Sequence, residues 1–293
     1  MFKSGIVIAF LFLIFSIFTA GIAAAQYDSC HVRISVLTCS PGEELYSTFG
    51  HSALRVTDSV QHTDIVYNWG TFDMEQQGFY IKFMRGKLLY FLSPEKFDDF
   101  LYQYQYEQRS VTEQLLSLSC HEKNDILKSL AVNMQGNNRF YKYDFLFDNC
   151  TTRIRDMVAN NVKKFEVHKE ADGKTTFRNM LHHYLDNGGQ AWSKLGIDIL
   201  LGSNIDRPVT KNEMQFLPEY YMAALDESEA AGKKIVSKKQ ILFTATVNNA
   251  TNKYVPLIIF TVVCGLLLVL SFQKSRSFAW LNFTFDKLLV YIT

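Results

Sequence analysis

The sequence predicts an α+β domain, on two observations. Strand patterns fill the first part of the chain: Val32, Ile34 and Val36 alternate along 31–38, Gly50 opens a second alternating run over 51–56, and a polar loop separates that run from a third at 64–70. Helical patterns then dominate, at 121–134, after Asp148-Asn149, at 176–184 and at 212–225. The chain has 293 residues, enough for one sizeable core and additional segments. Net charge is +1 with 20% charged residues, so no basic excess points to nucleic acid. Aromatic content is 14%, which suits a large core or a surface that meets lipid.

The first residues have the form of an export signal. Lys3 supplies the positive region, 5–20 is apolar, and Ala23-Ala24-Ala25 offers a small-residue cleavage site before Gln26. Residues 1–25 are expected to be removed, an uncleaved anchor being the other reading. At the far end, 254–272 is apolar and uncharged over a length that suits a bilayer span, and Lys274 and Arg276 follow at once. That places the preceding domain outside the membrane. Residues 278–293 resemble the start of a second span. The charged, small-residue stretch 226–253 is expected to be a membrane-proximal linker.

Ser40-Pro41-Gly42 is a turn, and 43–48 is a polar, helix-capable link to the run that begins at His51. His51 shares a face with Ala53 and Arg55, against Ser52, Leu54 and Val56. In an antiparallel hairpin the end of 64–70 returns beside the start of the His51 run, which brings Asn68 close to His51. Residues 74–92 are aromatic and partly basic; an interfacial segment and a core helix with a solvated face are both open. Strand 109–116 and helix 121–134 follow, and 137–143 leads back towards Asp148.

Asp148 and Asn149 are N-cap residues, and a helix is expected through Ala159. Cys150, Ile154, Met157 and Val158 fall on one face of it. A thiol in the first turn feels the partial positive charge of the helix N-terminus, which favours the thiolate. Free backbone amides there can hold a developing oxyanion. An exported cysteine is more often half of a disulfide, and that reading stands beside the nucleophile. His51, likewise, is either a general base or a hydrogen-bonded structural histidine. A base on a strand facing a cysteine on a helix N-terminus is the geometry of papain-like cysteine enzymes, here with the histidine first. Asn68 is the first candidate to orient the imidazole, with Asp73 and Asp64 as alternatives. Cys30 and Cys39 lie along one strand pattern, about 30 Å apart when extended, and are not expected to pair with each other. Spacings such as HxxxH, CxxC, GxGxxG or a P-loop do not occur, so no metal or other cofactor is expected.

The segments LTCSPGEELYSTFGHSALRV, VYNWGTFD, FYIKFMRGKLLYFLS, YDFLFDNCTTRIRD, IDILLGSNIDRPVT and MQFLPEYYMAAL resemble the periplasmic domain of Lnb-type lipoprotein N-acyltransferases over 34–225. The histidine-then-cysteine order is also similar to permuted papain-like acyltransferases. The resemblance implies a permuted papain-like domain at residues 26–225, tethered to the bacterial inner membrane and lying in the periplasm. It implies Cys150 as nucleophile and His51 as base, with a phospholipid as acyl donor and the N-terminal amine of a diacylated lipoprotein as acceptor. Lnb-type proteins carry further spans, so the chain resembles the front part of a longer protein. Cys30 and Cys120 stand outside the family's pattern and are a candidate bridge; Cys39 is then a buried free thiol. Arg153 and Tyr46 are candidate substrate contacts, Arg153 either on a lipid phosphate or paired with Asp156. A membrane-anchored hydrolase using the same pair, and a non-catalytic envelope module, are the other functional readings.

Overall fold

The computed structural model describes residues 29–73, 75, 82, 88–246 and 255–271. Their element order is β1 (Val32–Cys39), β2 (His51–Asp58), β3 (Thr63–Thr71), β4 (Leu89–Lys96), α1 (Phe97–Tyr106), β5 (Val111–Leu116), α2 (Cys120–Asn133), β6 (Phe140–Lys142) and α3 (Cys150–Asn161). Then come β7 (Phe165–Glu166), α4 (Phe177–Asn187), α5 (Ala191–Leu201), α6 (Pro218–Asp226), β8 (Glu229–Ala230), β9 (Lys233–Lys234), β10 (Val236–Phe243) and α7 (Val255–Ser271). The class is α+β, as the alternation of the early strands and the later helical periods require.

The main sheet has seven strands in the order β10-β5-β1-β2-β3-β4-β6, paired antiparallel throughout. Successive side chains of a strand point to opposite faces, and here both faces are covered. Val32, Ile34 and Val36 of β1, with Leu54 and Val56 of β2, face Ile126 and Leu130 of α2, Ile154 and Val158 of α3, and Tyr221 and Leu225 of α6. The intervening residues Leu37, Cys39, Ala53, Val66 and Val111 pack against Phe100 and Tyr104 of α1. A third cluster, centred on α4 with Ile205, Val209 and Phe216, lies outside the sheet and takes in Phe49, Phe145 and Leu146. Those three residues belong to the loops that deliver His51 and Cys150.

Several expectations change in the folded chain. The stretch taken as a linker, 226–253, contains the small β8–β9 hairpin and β10, which is the outer strand of the main sheet against β5. Its charges are those of an edge strand: Lys238 and Lys239 stay exposed and guard an open ladder. Helix α5 occupies 191–201, where no helix was expected after Asn187-Gly188-Gly189. Its N-cap, Gln190, makes no side-chain cap bond, so the usual start signal is missing. The apolar 254–272 stretch carries the 17-residue helix α7. Among the described residues no helix is long and apolar enough to cross a membrane. The expected export signal, the start of a second span at 278–293 and most of the aromatic segment 74–92 lie outside the described residues; the end of that segment, from Leu89, is strand β4.

Two glycines are required by geometry. Gly50, immediately before His51, has φ +80°, and a Cβ there would stand 2.6 Å from the Cys39 carbonyl oxygen. Gly70 has φ +99° and sits 3.8 Å, by its would-be Cβ, from the Cβ of Cys150. Cys30 and Cys120 form a disulfide that ties the start of β1 to the start of α2, with a Cα–Cα distance of 4.7 Å. Cys39 is buried and reduced.

The disulfide closes a loop of 90 residues. Cys30→Ser and Cys120→Ser should each lower stability by about 2–4 kcal/mol. The double variant should be no worse than either single one. Urea unfolding followed by the fluorescence of the buried Trp69 measures this.

Candidate active site

The site lies where two strands part. The β2–β3 register runs from Asp58 opposite Thr63 to Leu54 opposite Tyr67. His51, Ser52 and Ala53 therefore leave that ladder, and an irregularity between Asn68 and Thr71 opens β3 on its other side. The N-terminus of α3 is set against this opening. Ser52 Oγ and Thr151 Oγ1 are 3.0 Å apart in a buried hydrogen bond, so the residue after the histidine is bonded to the residue after the cysteine.

Asn149 holds the helix end. Its side-chain oxygen accepts from the amides of Thr151, at 2.8 Å, and Thr152, at 3.0 Å. Its Nδ2 donates to the carbonyls of Phe145 and Phe216. Thr152 Oγ1 accepts from the Asn149 amide and completes a capping box. This cap leaves fewer free amides for an oxyanion than the helix start alone suggests. The cap takes Thr151 and Thr152, and the Arg153 amide bonds the Asn149 carbonyl. The Cys150 amide is the donor this cap leaves over. Asp148 is not part of the cap; it forms a two-point pair with Arg153, whose guanidinium lies 4.0 Å from the Tyr141 ring centre. The alternative partner considered for Arg153, Asp156, is bonded by Arg155 instead. Side-chain direction decided this, since Arg153 folds back over the loop before the helix rather than along it.

Asn68 stands beside His51, where the hairpin argument expected it. Extending the β2–β3 register puts Gly70 opposite His51 and Asn68 one same-face position further on. Asn68 Oδ1 lies 3.1 Å from His51 Nε2. The two other orienter candidates are elsewhere: Asp64 pairs with Arg55, and Asp73 Oδ1 accepts the amide of Glu75. Tyr46, on a single turn of 3₁₀ helix before Gly50, is 66% exposed. Glu95, which no sequence pattern singles out, accepts from Asn68 Nδ2 at 2.5 Å. Its only trace in the sequence is a carboxylate on a strand otherwise rich in apolar residues.

Burial alone pushes the Cys150 thiol up, but the charge of His51, a hydrogen bond with it, the Ser52 amide and the Thr151 hydroxyl outweigh that effect. The thiol falls from 9.0 to about 7. Burial works against a charged His51, while the Cys150 thiolate and hydrogen bonds to Cys150 and Asn68 hold its pKa above the usual 6.5. The two groups titrate as a pair. Cys39 provides the internal contrast: buried without an equivalent set of partners, it is pushed up to about 12.

An α+β domain that sets a thiol of lowered pKa beside a hydrogen-bonded histidine is the class defined by this fold and site. The model of the Lnb N-terminal periplasmic domain matches residues 19–183, and the chain belongs to that family. No curated protein and no solved structure matches it.

Alkylation of Cys150 by iodoacetamide should rise with pH and reach half its maximum near 7, because only the thiolate reacts. His51→Ala removes the strongest stabilising charge, so the half-point should move up, towards or beyond 9.0. Mass spectrometry of the Cys150 peptide follows both.

Proposed function

We propose that the chain is a membrane-anchored thiol acyltransferase, which moves an acyl chain from a phospholipid through a Cys150 thioester to the N-terminal amine of a diacylated bacterial lipoprotein. The observation that carries this reading is the Cys150–His51–Asn68 arrangement in a chain of the Lnb family. Family membership supports a periplasmic domain. The apolar helix α7, with Leu257, Ile258, Val262 and Leu266 all exposed, supports an anchor in the inner membrane, where a lipid donor is at hand.

In the proposed chemistry His51 takes the thiol proton and the thiolate adds to an ester carbonyl of the phospholipid. The oxyanion forms beside the Cys150 amide. Collapse expels the lipid alkoxide, which takes the proton back from His51, and leaves the thioester. The lipoprotein amine then adds to the thioester, gives its proton to His51, and the thiolate departs with the amide formed. Asn68 keeps the N–H of His51 at Nε2, so the other ring nitrogen handles these protons. Arg153, held on Asp148 and the Tyr141 ring at the edge of the site, is the proposed contact for the lipid phosphate, and the exposed Tyr46 ring for an acyl chain. Water as final acceptor would make the same arrangement a hydrolase.

The test is the mass of lipoprotein N-terminal peptides from cells with and without the protein. An added acyl chain on the amine should depend on it. Cys150→Ser and His51→Ala should reduce that product to background at normal expression. Asn68→Ala should slow its formation by roughly 10- to 100-fold, the worth of one charge-assisted hydrogen bond. Unmodified amines in the presence of the active protein, with free fatty acid released, would replace transfer by hydrolysis.

Orientation is tested separately. Single cysteines placed at 247–253 should react with an impermeant maleimide from outside intact spheroplasts, and cysteines beside Lys274 should react only after lysis. The opposite pattern would remove a periplasmic lipid from the reading.

A further inference from the structure

We propose that Glu95 is a positioning residue that sets the direction of the Asn68 amide and, through it, the tautomer of His51. The inference rests on the reading of Cys150 as a nucleophile served by His51. Three strands contribute in sequence: His51 from β2, Asn68 from β3 and Glu95 from β4. All three lie on the α1 side of the sheet. Asn68 is buried between the other two, with Oδ1 3.1 Å from His51 Nε2 and Nδ2 2.5 Å from Glu95 Oε1.

The polarity of this chain is dictated from its far end. An ionised carboxylate only accepts hydrogen bonds, so the end of Asn68 that meets it must be the N–H end. An amide has one donor end and one acceptor end, which turns Oδ1 to the histidine. Oδ1 has no proton to give, so Nε2 must carry one. Nδ1 is then the ring nitrogen with a lone pair to take the Cys150 proton. The reversed amide would place two acceptor oxygens against each other at Glu95. It would also press N–H against Nε2, which favours the tautomer that cannot take a proton at Nδ1.

The charge acts in the same direction. A carboxylate two steps from the imidazole favours the imidazolium that accompanies the Cys150 thiolate. Around Glu95 the charged and titratable groups are His51 on β2 and Asp99 on α1. Burial, aided by Asp99, raises the Glu95 carboxyl above its usual 4.5, against Asn68 and His51, which lower it. Protonated Glu95 gains an O–H donor and no longer distinguishes the two ends of the amide. The orienting effect is therefore present with Glu95 ionised and fades as pH falls through its raised pKa.

The decisive variant is Glu95→Gln in the full-length chain in detergent. It keeps the shape, but its own amide can turn either end to Asn68. Alkylation of Cys150 by iodoacetamide is followed against pH, with thermal unfolding as the measure of folding. Glu95→Gln should react roughly threefold more slowly below the half-point, and Glu95→Ala roughly tenfold, the half-point moving up in that order. The ¹⁵N shifts of the His51 ring give a second readout. They should report Nε2–H in the unaltered chain and a mixture of tautomers in Glu95→Gln. Profiles and ring shifts of Glu95→Gln that superpose on the unaltered chain would overturn the proposal, whether or not Glu95→Ala folds. An unaltered chain whose Cys150 titrates near 9.0 would instead overturn the nucleophile reading, and the His51 shifts would still decide the role of Glu95.

Discussion

One buried amide side chain, that of Asn149, holds the site together. It is 4% exposed and fully occupied, accepting from two amides of α3 and donating to the carbonyls of Phe145 and Phe216. The acceptor half fixes where the helix begins, hence which residue occupies its first position. The donor half fixes that helix start against the third core cluster. An alanine there would lose the cap and also leave two carbonyls without their donor, and unmet buried groups cost more than the bond itself contributes. Cys150 is thus placed by its neighbour, and its own side chain takes no part in the cap.

The aromatic cluster beyond the sheet explains how two distant loops keep a common register. Phe49 and Phe145 are 5.0 Å apart between ring centres, Phe145 lies 6.1 Å from Phe216, and Phe49 lies 6.0 Å from Tyr184. The residues before His51 and those before Cys150 therefore pack on each other and on one ring cluster, with Tyr184 of α4 and Phe216 of the 3₁₀ turn before α6. The Ser52–Thr151 bond then locks the next residue of each segment. The cluster draws on Phe216, beyond the last residue of the family match at 183. The support for the site extends past the matched segment.

Two cysteines in one domain separate the effects that govern a thiol. Cys39 and His51 are opposite one another in the β1–β2 register, so Cys39 and Cys150 lie in the same neighbourhood. Burial raises both. Cys39 has the Arg109 charge and a hydrogen bond with Tyr104, which do not offset its burial; Cys150 has the charge of His51, a hydrogen bond with it, the Ser52 amide and the Thr151 hydroxyl, and these reverse the sign of its shift. The opening of the ladder is thus part of the electrostatics: it releases the Ser52 amide from sheet pairing and makes it a donor to sulfur.

What the sequence determined by itself was local. The Asn149 cap, the helix that starts at Cys150, the strand from His51 and the hairpin that brings Asn68 back beside it depend on contacts within a few residues or across one short turn. Periods of two and 3.6 with cap chemistry suffice to read them. The α+β class followed from the same periods. What only the tertiary structure decided were pairings between segments far apart. Glu95 reaches Asn68 because β4 lies beside β3 after an intervening segment of unpatterned length, and no local rule sets that register. Strand β10 closes the sheet from beyond position 235, where its exposed lysines resemble a linker until β5 is beside them. Arg153 turned to Asp148 because the preceding loop folds under the helix. The bond between Cys30 and Cys120 needs both ends of a 90-residue loop in place, and the sequence could only nominate it. In each case the deciding energy comes from burial and hydrogen bonding between segments brought together by the whole fold.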